Sequence, residues 1–280
     1  MKPDNIKIIP QWSKSKEDIW NEAFASLKDT PSSIKNRHIP FWKYAAVLLV
    51  AIILTGSVIS QSYTVTEIAK RGSHLAVTLP DGSKVNLNAD SRLTYKPYQW
   101  IISRNVELQG EAFFEVEKDS LRPFRVEMGG LEIEVLGTSF DAIGYAADPA
   151  RQVILKSGSV SISGEGLSRP VRLCPDQKFT QSVLQGEFSI EQVDARNYCQ
   201  WFEERLVFYN MPLTDIMVNL ERKYHVEIVL SPSLPANKRL SLVVQHEPLE
   251  DIMEVISRLM PVRCQIDGDR VFVTNRGKSR

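Results

Sequence analysis

The chain has 280 residues, 43% of them hydrophobic and 24% charged, with 34 basic and 34 acidic side chains. That composition is globular, the length suits two modest domains, and zero net charge argues against a broad nucleic-acid-binding surface. The charge is unevenly spread: residues 1–43 carry eight Lys/Arg against five Asp/Glu, residues 44–60 carry none, and the remainder is net −3.

The first expected element is an amphipathic helix. Between Ser15 and Asp29, the apolar residues Ile19, Trp20, Ala23, Phe24 and Leu27 recur at helical spacing and form one stripe. Ser15 followed by Asp18 resembles a capping box. Residues 1–40 cannot bury a sufficient core of their own. The stripe therefore needs either a partner or a membrane surface. Trp20 and Phe24 are anchor types for helix-in-groove recognition. Lys16 and Lys28 suit the other reading, a helix lying on the inner leaflet.

The stretch 41–60 reads FWKYAAVLLVAIILTGSVIS, with no charge from Tyr44 to Ile59. It is apolar all round, unlike a core helix, and matches the ~20 residues that cross a bilayer. Trp42, Lys43 and Tyr44 suit the interface as anchors. A cleaved secretion signal fits less well, because its leader and its apolar region are shorter. Lys35, Arg37 and Lys43 precede the stretch. The positive-inside bias then puts the N-terminus in the cytoplasm and residues 61–280 outside, in the periplasm of a Gram-negative cell. The expectation is a single-pass inner-membrane protein.

Residues 61–184 read as short strands joined by tight turns. His74–Leu79 alternates, Pro80-Asp81-Gly82-Ser83 turns, and Lys84–Leu87 alternates again with Val85 and Leu87 inward. Leu131, Ile133 and Val135 alternate with Glu132 and Glu134, and Ser157-Gly158 turns between Val153/Leu155 and Val160/Ile162. The expected fold is an all-β sandwich or a solenoid-like stack.

The segments TLPDGSKVNLNADSRLTY, VELQGEAFFEVEKD, PFRVE, VLGTSFDAIGY and ILKSGSVSIS occur in this order. Together they closely resemble the periplasmic domain of FecR-family transmembrane anti-sigma factors, over about Val65 to Val183. KEDIWNEAF matches the family's Trp-containing cytoplasmic helix less specifically.

Residues 185–197 are expected as a linker, 198–276 as an α+β domain, and 277–280 as a tail. Pro212-Leu213-Thr214-Asp215-Ile216-Met217 and Pro248-Leu249-Glu250-Asp251-Ile252-Met253 open two similar helices. Each Pro suits a first helical turn, and each Asp suits the helix N-terminus. Flanking apolar runs predict the order β-α-β-β-α-β with a final hairpin at Asp267-Gly268-Asp269, the helices covering one face of a small sheet. Met217 and Met253 read as core. This half resembles the C-terminal domain of Bacteroidetes FecR-like proteins, which is similar to the secretin and TonB short N-terminal domain. An exposed strand edge of such a domain can pair with a partner's sheet.

The four histidines show no catalytic or zinc spacing, and no phosphate loop is present. No cofactor, metal or conventional enzyme chemistry is expected. Cys174, Cys199 and Cys264 fit three buried thiols, or one disulfide and a spare. The resemblance adds one chemical site. In some FecR relatives a Gly-Thr bond in the Leu-Gly-Thr-Ser-Phe motif breaks by an N-to-O acyl shift. The matching bond is Gly137-Thr138, where the alternative is an ordinary turn.

What the resemblance implies is an anti-sigma factor. Ile19, Trp20, Phe24 and Leu27 would hold an extracytoplasmic-function sigma factor. The C-terminal domain would contact the signalling domain of a TonB-dependent outer-membrane transporter. Proteases acting near Ser57–Ser62 would free the sigma factor, with no direct role for nucleic acid. The competing reading is a membrane-anchored periplasmic adaptor or structural protein that binds no sigma factor.

Overall fold

The computed structural model describes residues 13–25, 41–203, 205–232, 234 and 238–276. The chain divides into two compact units, Met1–Leu54 and Thr55–Arg280. In the first, α1 (Lys16–Ala25) is capped as its sequence implies. The Ser15 hydroxyl donates to Asp18 Oδ2 at 2.7 Å and accepts from the Asp18 N–H at 3.2 Å. Leu27 lies outside the described residues.

Helix α2 (Phe41–Ser62) follows. Among the described residues no helix is long and apolar enough to cross a membrane. This corrects the expectation of a transmembrane helix over 41–60. Of the expected anchors, Trp42 and Tyr44 are exposed, and the Lys43 side chain lies outside the described set.

Thirteen strands form the β-domain: β1 (Val65–Ala69), β2 (Leu75–Thr78), β3 (Lys84–Leu87), β4 (Ser91–Tyr95), β5 (Arg104–Glu115), β6 (Phe124–Met128), β7 (Leu131–Val135), β8 (Ser139–Gly144), β9 (Ala150–Ser157), β10 (Val160–Gly164), β11 (Val171–Leu173), β12 (Gln177–Ser182) and β13 (Phe188–Gln192). They share one hydrogen-bonded sheet whose main path runs β11-β10-β7-β6-β5-β8-β9-β12-β13. The alternation seen in the sequence sets the faces. Leu131, Ile133 and Val135 are buried while Glu132 and Glu134 are half-exposed.

Strand β5 organises the sheet by pairing in two halves. Val106–Gln109 pairs with β4, and Ala112–Glu115 pairs with β3. The change falls at Gly110, where φ is +104° and a Cβ would lie 2.4 Å from Ser91 Oγ. Only glycine takes that backbone conformation at that approach. The sheet thus folds over a core that includes Leu93, Leu108, Phe114, Phe124, Phe140 and Phe179.

The Pro80–Ser83 turn is tied to β5 by a buried guanidinium. Arg104 is 0% exposed, and its Nη1 donates to Asp81 Oδ2 at 3.0 Å and to the Glu117 carbonyl at 2.9 Å. Nε donates to the Arg122 carbonyl at 2.8 Å, and Nη2 donates to the carbonyls of Asp119, at 3.2 Å, and Arg122. The Ser83 hydroxyl closes the turn, donating to Asp81 Oδ2 at 2.8 Å and accepting the Glu117 N–H at 3.0 Å. A buried charge is stable when every donor is paired, and this one is.

The C-terminal domain has β14 (Leu206–Pro212), α3 (Leu213–Tyr224), β15 (Glu227–Leu230), β16 (Arg239–Val244), α4 (Leu249–Leu259), β17 (Val262–Asp267) and β18 (Arg270–Asn275). Its strands form two sheets, β14-β16 and β15-β18-β17, where a single small sheet was expected. Ile216, Met217, Leu220, Ile252, Met253 and Ile256 fill the space beneath them. Pro212 and Pro248 stand at the N-cap, one residue before each helix, in extended conformation. The stretch 185–197, expected as a linker, contributes β13, which pairs along its length with β12.

Candidate functional site

The stripe expected from the sequence to bind a partner lies on α1. Trp20 is 66% exposed, Ile19 and Phe24 are 40% and 39% exposed, and no residue of the helix is buried. The Trp20 and Phe24 rings touch, with centroids 4.4 Å apart. The sequence placed these residues on one face, and the helix presents them together. An exposed aromatic pair on a helix with no core is a surface for association rather than for folding.

Gly137 and Thr138 sit between β7 and β8. Gly137 has φ +145°, and a Cβ there would lie 2.8 Å from Lys118 Cα. Thr138 is buried, and its hydroxyl donates to the Ser159 carbonyl at 3.0 Å. Its own carbonyl accepts the Val116 N–H at 3.0 Å. Glycine is therefore required at 137 by backbone geometry. The Thr138 hydroxyl proton is committed to Ser159, whereas an acyl shift needs that oxygen on the Gly137 carbonyl carbon.

In the C-terminal domain, β15 pairs with β18 along one edge, and β16 pairs with β14 along one edge. Val229 and Val243, on β15 and β16, are exposed, as is Tyr209 at the irregularity of β14. Among the described residues the second edge of each of these strands has no strand partner. Such edges are templates for strand addition.

The sequence reading missed a fourth site, the junction between the β-domain and the C-terminal domain. Its base is a pair of carboxyl groups on β5 and β8. The antiparallel register sets Glu111 opposite Ile143 and Phe113 opposite Asp141, so Glu111 and Asp141 are diagonal neighbours on one face. Glu111 Oε2 accepts from Asn88 Nδ2 at 2.7 Å. Asp141 Oδ1 accepts from Trp201 Nε1 at 3.2 Å, and no N–H or hydroxyl donor reaches Oδ2. Arg222 of α3 closes the other side. It makes two hydrogen bonds to the Asp148 carboxylate, one of 3.2 Å, and its Cζ stacks 3.6 Å from the Tyr145 ring centroid. The Gly72 N–H donates to the Arg222 carbonyl at 2.9 Å.

Burial dominates the electrostatics here. Desolvation raises the Glu111 carboxyl to about 7, the Asn88 hydrogen bond and the Arg222 charge opposing it. Desolvation, then the neighbouring Glu111 charge, raises Asp141 well above the carboxylate range. Two adjacent buried carboxyls cannot both ionise, so the pair holds a proton between them.

A second layer covers this face, formed by Phe113, Ile154, Ala195, Cys199 and Trp201. The sequence did carry a signal for it. Ala112-Phe113-Phe114 and Val153-Ile154-Leu155 are consecutive apolar runs, and all six residues are fully buried. Continuous runs mark strands covered on both faces. Cys174, Cys199 and Cys264 are free thiols, and burial pushes Cys199 and Cys264 above the usual thiol range.

Comparison with known proteins follows this geometry. Residues 65–163 match the model of the FecR protein family, and 205–273 match that of the FecR C-terminal domain. Two crystal structures of a candidate anti-sigma factor from Parabacteroides distasonis ATCC 8503 are similar to this chain. One, at 29% identity, covers 75% of this chain and 99% of its own, with a TM-score of 0.72. The other, at 28% identity, covers 76% and 99%, with a TM-score of 0.71. No curated protein matches the chain.

Proposed function

The chain belongs to the FecR family, and from that premise we propose that it is an anti-sigma factor, a regulator rather than an enzyme, whose α1 captures an extracytoplasmic-function sigma factor. The observation that carries this reading is the exposed Trp20–Phe24 pair on a capped helix that buries none of its own residues. Aromatic anchors of this kind supply most of the binding energy in helix-in-groove contacts.

In this proposal the C-terminal domain receives the signal. The free edges of β15 and β16 accept the signalling domain of a TonB-dependent outer-membrane transporter, and proteolysis near Ser57–Ser62 then releases the sigma factor. The chain would work at the inner membrane, with α1 cytoplasmic and the FecR domains periplasmic. Support for that location comes from the Lys/Arg excess of residues 1–43.

The test is capture of the host's extracytoplasmic-function sigma factors by the full chain, with Trp20→Ala/Phe24→Ala as the paired variant. Saturable capture that drops at least ~100-fold in the variant, about 3 kcal/mol, is the expected result. Capture that is absent, or unchanged in the variant, overturns the reading and leaves the membrane-anchored adaptor.

A further inference from the structure

The junction at Glu111 and Asp141 is closed by parts of the chain that lie far apart in sequence. Trp201, in the segment joining the two domains, puts its indole N–H on Asp141. Arg222 of α3 bridges to Asp148 and stacks on Tyr145. A cavity of about 170 Å³ between the domains is lined by Glu111, Asp141, Asp148, Trp201, Asp215 and Arg222, among others. The carboxyl pair is thus buried because the connecting segment and α3 are seated on it.

We propose that this junction is a proton-linked latch: α3 and Trp201 close over the Glu111–Asp141 pair, and closure requires the pair to keep its proton. Opening would hydrate both carboxyl groups and let them ionise. The orphaned Asp141 Oδ2 is what makes the closed state depend on the proton. A protonated carboxyl supplies the donor that no N–H or hydroxyl supplies, as Glu111 and Asp141 sharing one hydrogen.

The charged and titratable groups around the pair come from every element packed on it. Asp148 and Tyr145 follow β8, and Arg222 and Asp215 come from α3. Cys199 and Arg205 lie on the connecting segment, and Lys156 of β9 and Asp176 act on Cys199. His74 contacts the Trp201 ring edge-on, with centroids 5.3 Å apart. Arg222 is the cation that favours the ionised form of Glu111, and Asp148 opposes it. Burial outweighs both.

The sign follows from linkage. Glu111 sits near 7 when closed, above its ordinary 4.5. Closure is therefore complete below the ordinary value and weakens as pH rises through 7. One proton released on opening changes the closure constant about tenfold between about pH 6 and about pH 8.

The experiment is hydrogen exchange of the full chain at those two pH values, corrected for intrinsic rates and referenced to β7 and β10. The protection of 197–203 and 213–224 is expected to fall about tenfold while the reference strands hold. Glu111→Gln, neutral and of the same shape, is expected to flatten that dependence. pH-independent protection in the unaltered chain overturns the latch. So does a slope that survives in Glu111→Gln, which would assign the proton to His74 or another group. Should Glu111→Gln not fold, the unaltered chain and Asp141→Asn decide the question by the same criterion.

Discussion

The β-domain buries charge in two places, and the two are built differently. Around Arg104 every guanidinium nitrogen has an acceptor, supplied by Asp81 and three backbone carbonyls. Around Glu111 and Asp141 the set is incomplete: one carboxylate oxygen has no donor, and the cover comes from another domain. Both sites tie together segments that lie apart in sequence. The difference is that the Arg104 donors are all satisfied, whereas a carboxyl near 7 can take up or release a proton. A complete hydrogen-bond set gives a fixed joint, and an incomplete set around a titratable pair gives one that responds.

The sharpest way to break the comparison is Arg104→Met. It leaves the Asp81 carboxylate buried without its cation, and the loss is expected at about 3–5 kcal/mol in denaturant unfolding, with little pH dependence between about pH 6 and about pH 8. A loss under about 1 kcal/mol would mean the site is wet and the contrast unfounded. Glu111→Gln comes next. Wild-type stability should fall by about 3 kcal/mol between about pH 5 and about pH 9, because the folded value near 7 exceeds the ordinary 4.5. The variant should lack that decline, and urea midpoints across the range check it. The smallest effect is Thr138→Val, which removes the Ser159 hydrogen bond and should cost about 1 kcal/mol. The same variant sharpens the question of backbone chemistry: any fragment pair from cleavage at Gly137-Thr138 must vanish from its intact-mass spectrum.

Much of the strand pattern was legible from the chain alone. Val85, Leu87, Leu131 and Ile133 are buried where alternation set them, and Asp267-Gly268 turns between β17 and β18. The cap on α1 was legible in Ser15 and Asp18. Arg104 was not, because a strand residue flanked by polar neighbours reads as solvated until its four acceptors are assembled around it. The second layer over Phe113 and Ile154 was legible only in the consecutive apolar runs 112–114 and 153–155, since alternation reports one buried face and this sheet has two. The stretch 41–60 shows the converse error. Its composition alone suggested a span, yet among the described residues no helix is long and apolar enough to cross a membrane.

The sequence by itself determined the local elements, the family and the aromatic stripe of α1. All three depend on residue type at fixed short spacing, which periodicity and motif report directly. Only the tertiary structure decided that the C-terminal strands divide into two sheets and that Glu111 meets Asp141. It also decided that Trp201 and Arg222 close over that pair. Those outcomes depend on strand register and on water excluded by segments many residues away. A carboxyl group's proton affinity is a property of that enclosure, and no stretch of sequence contains it.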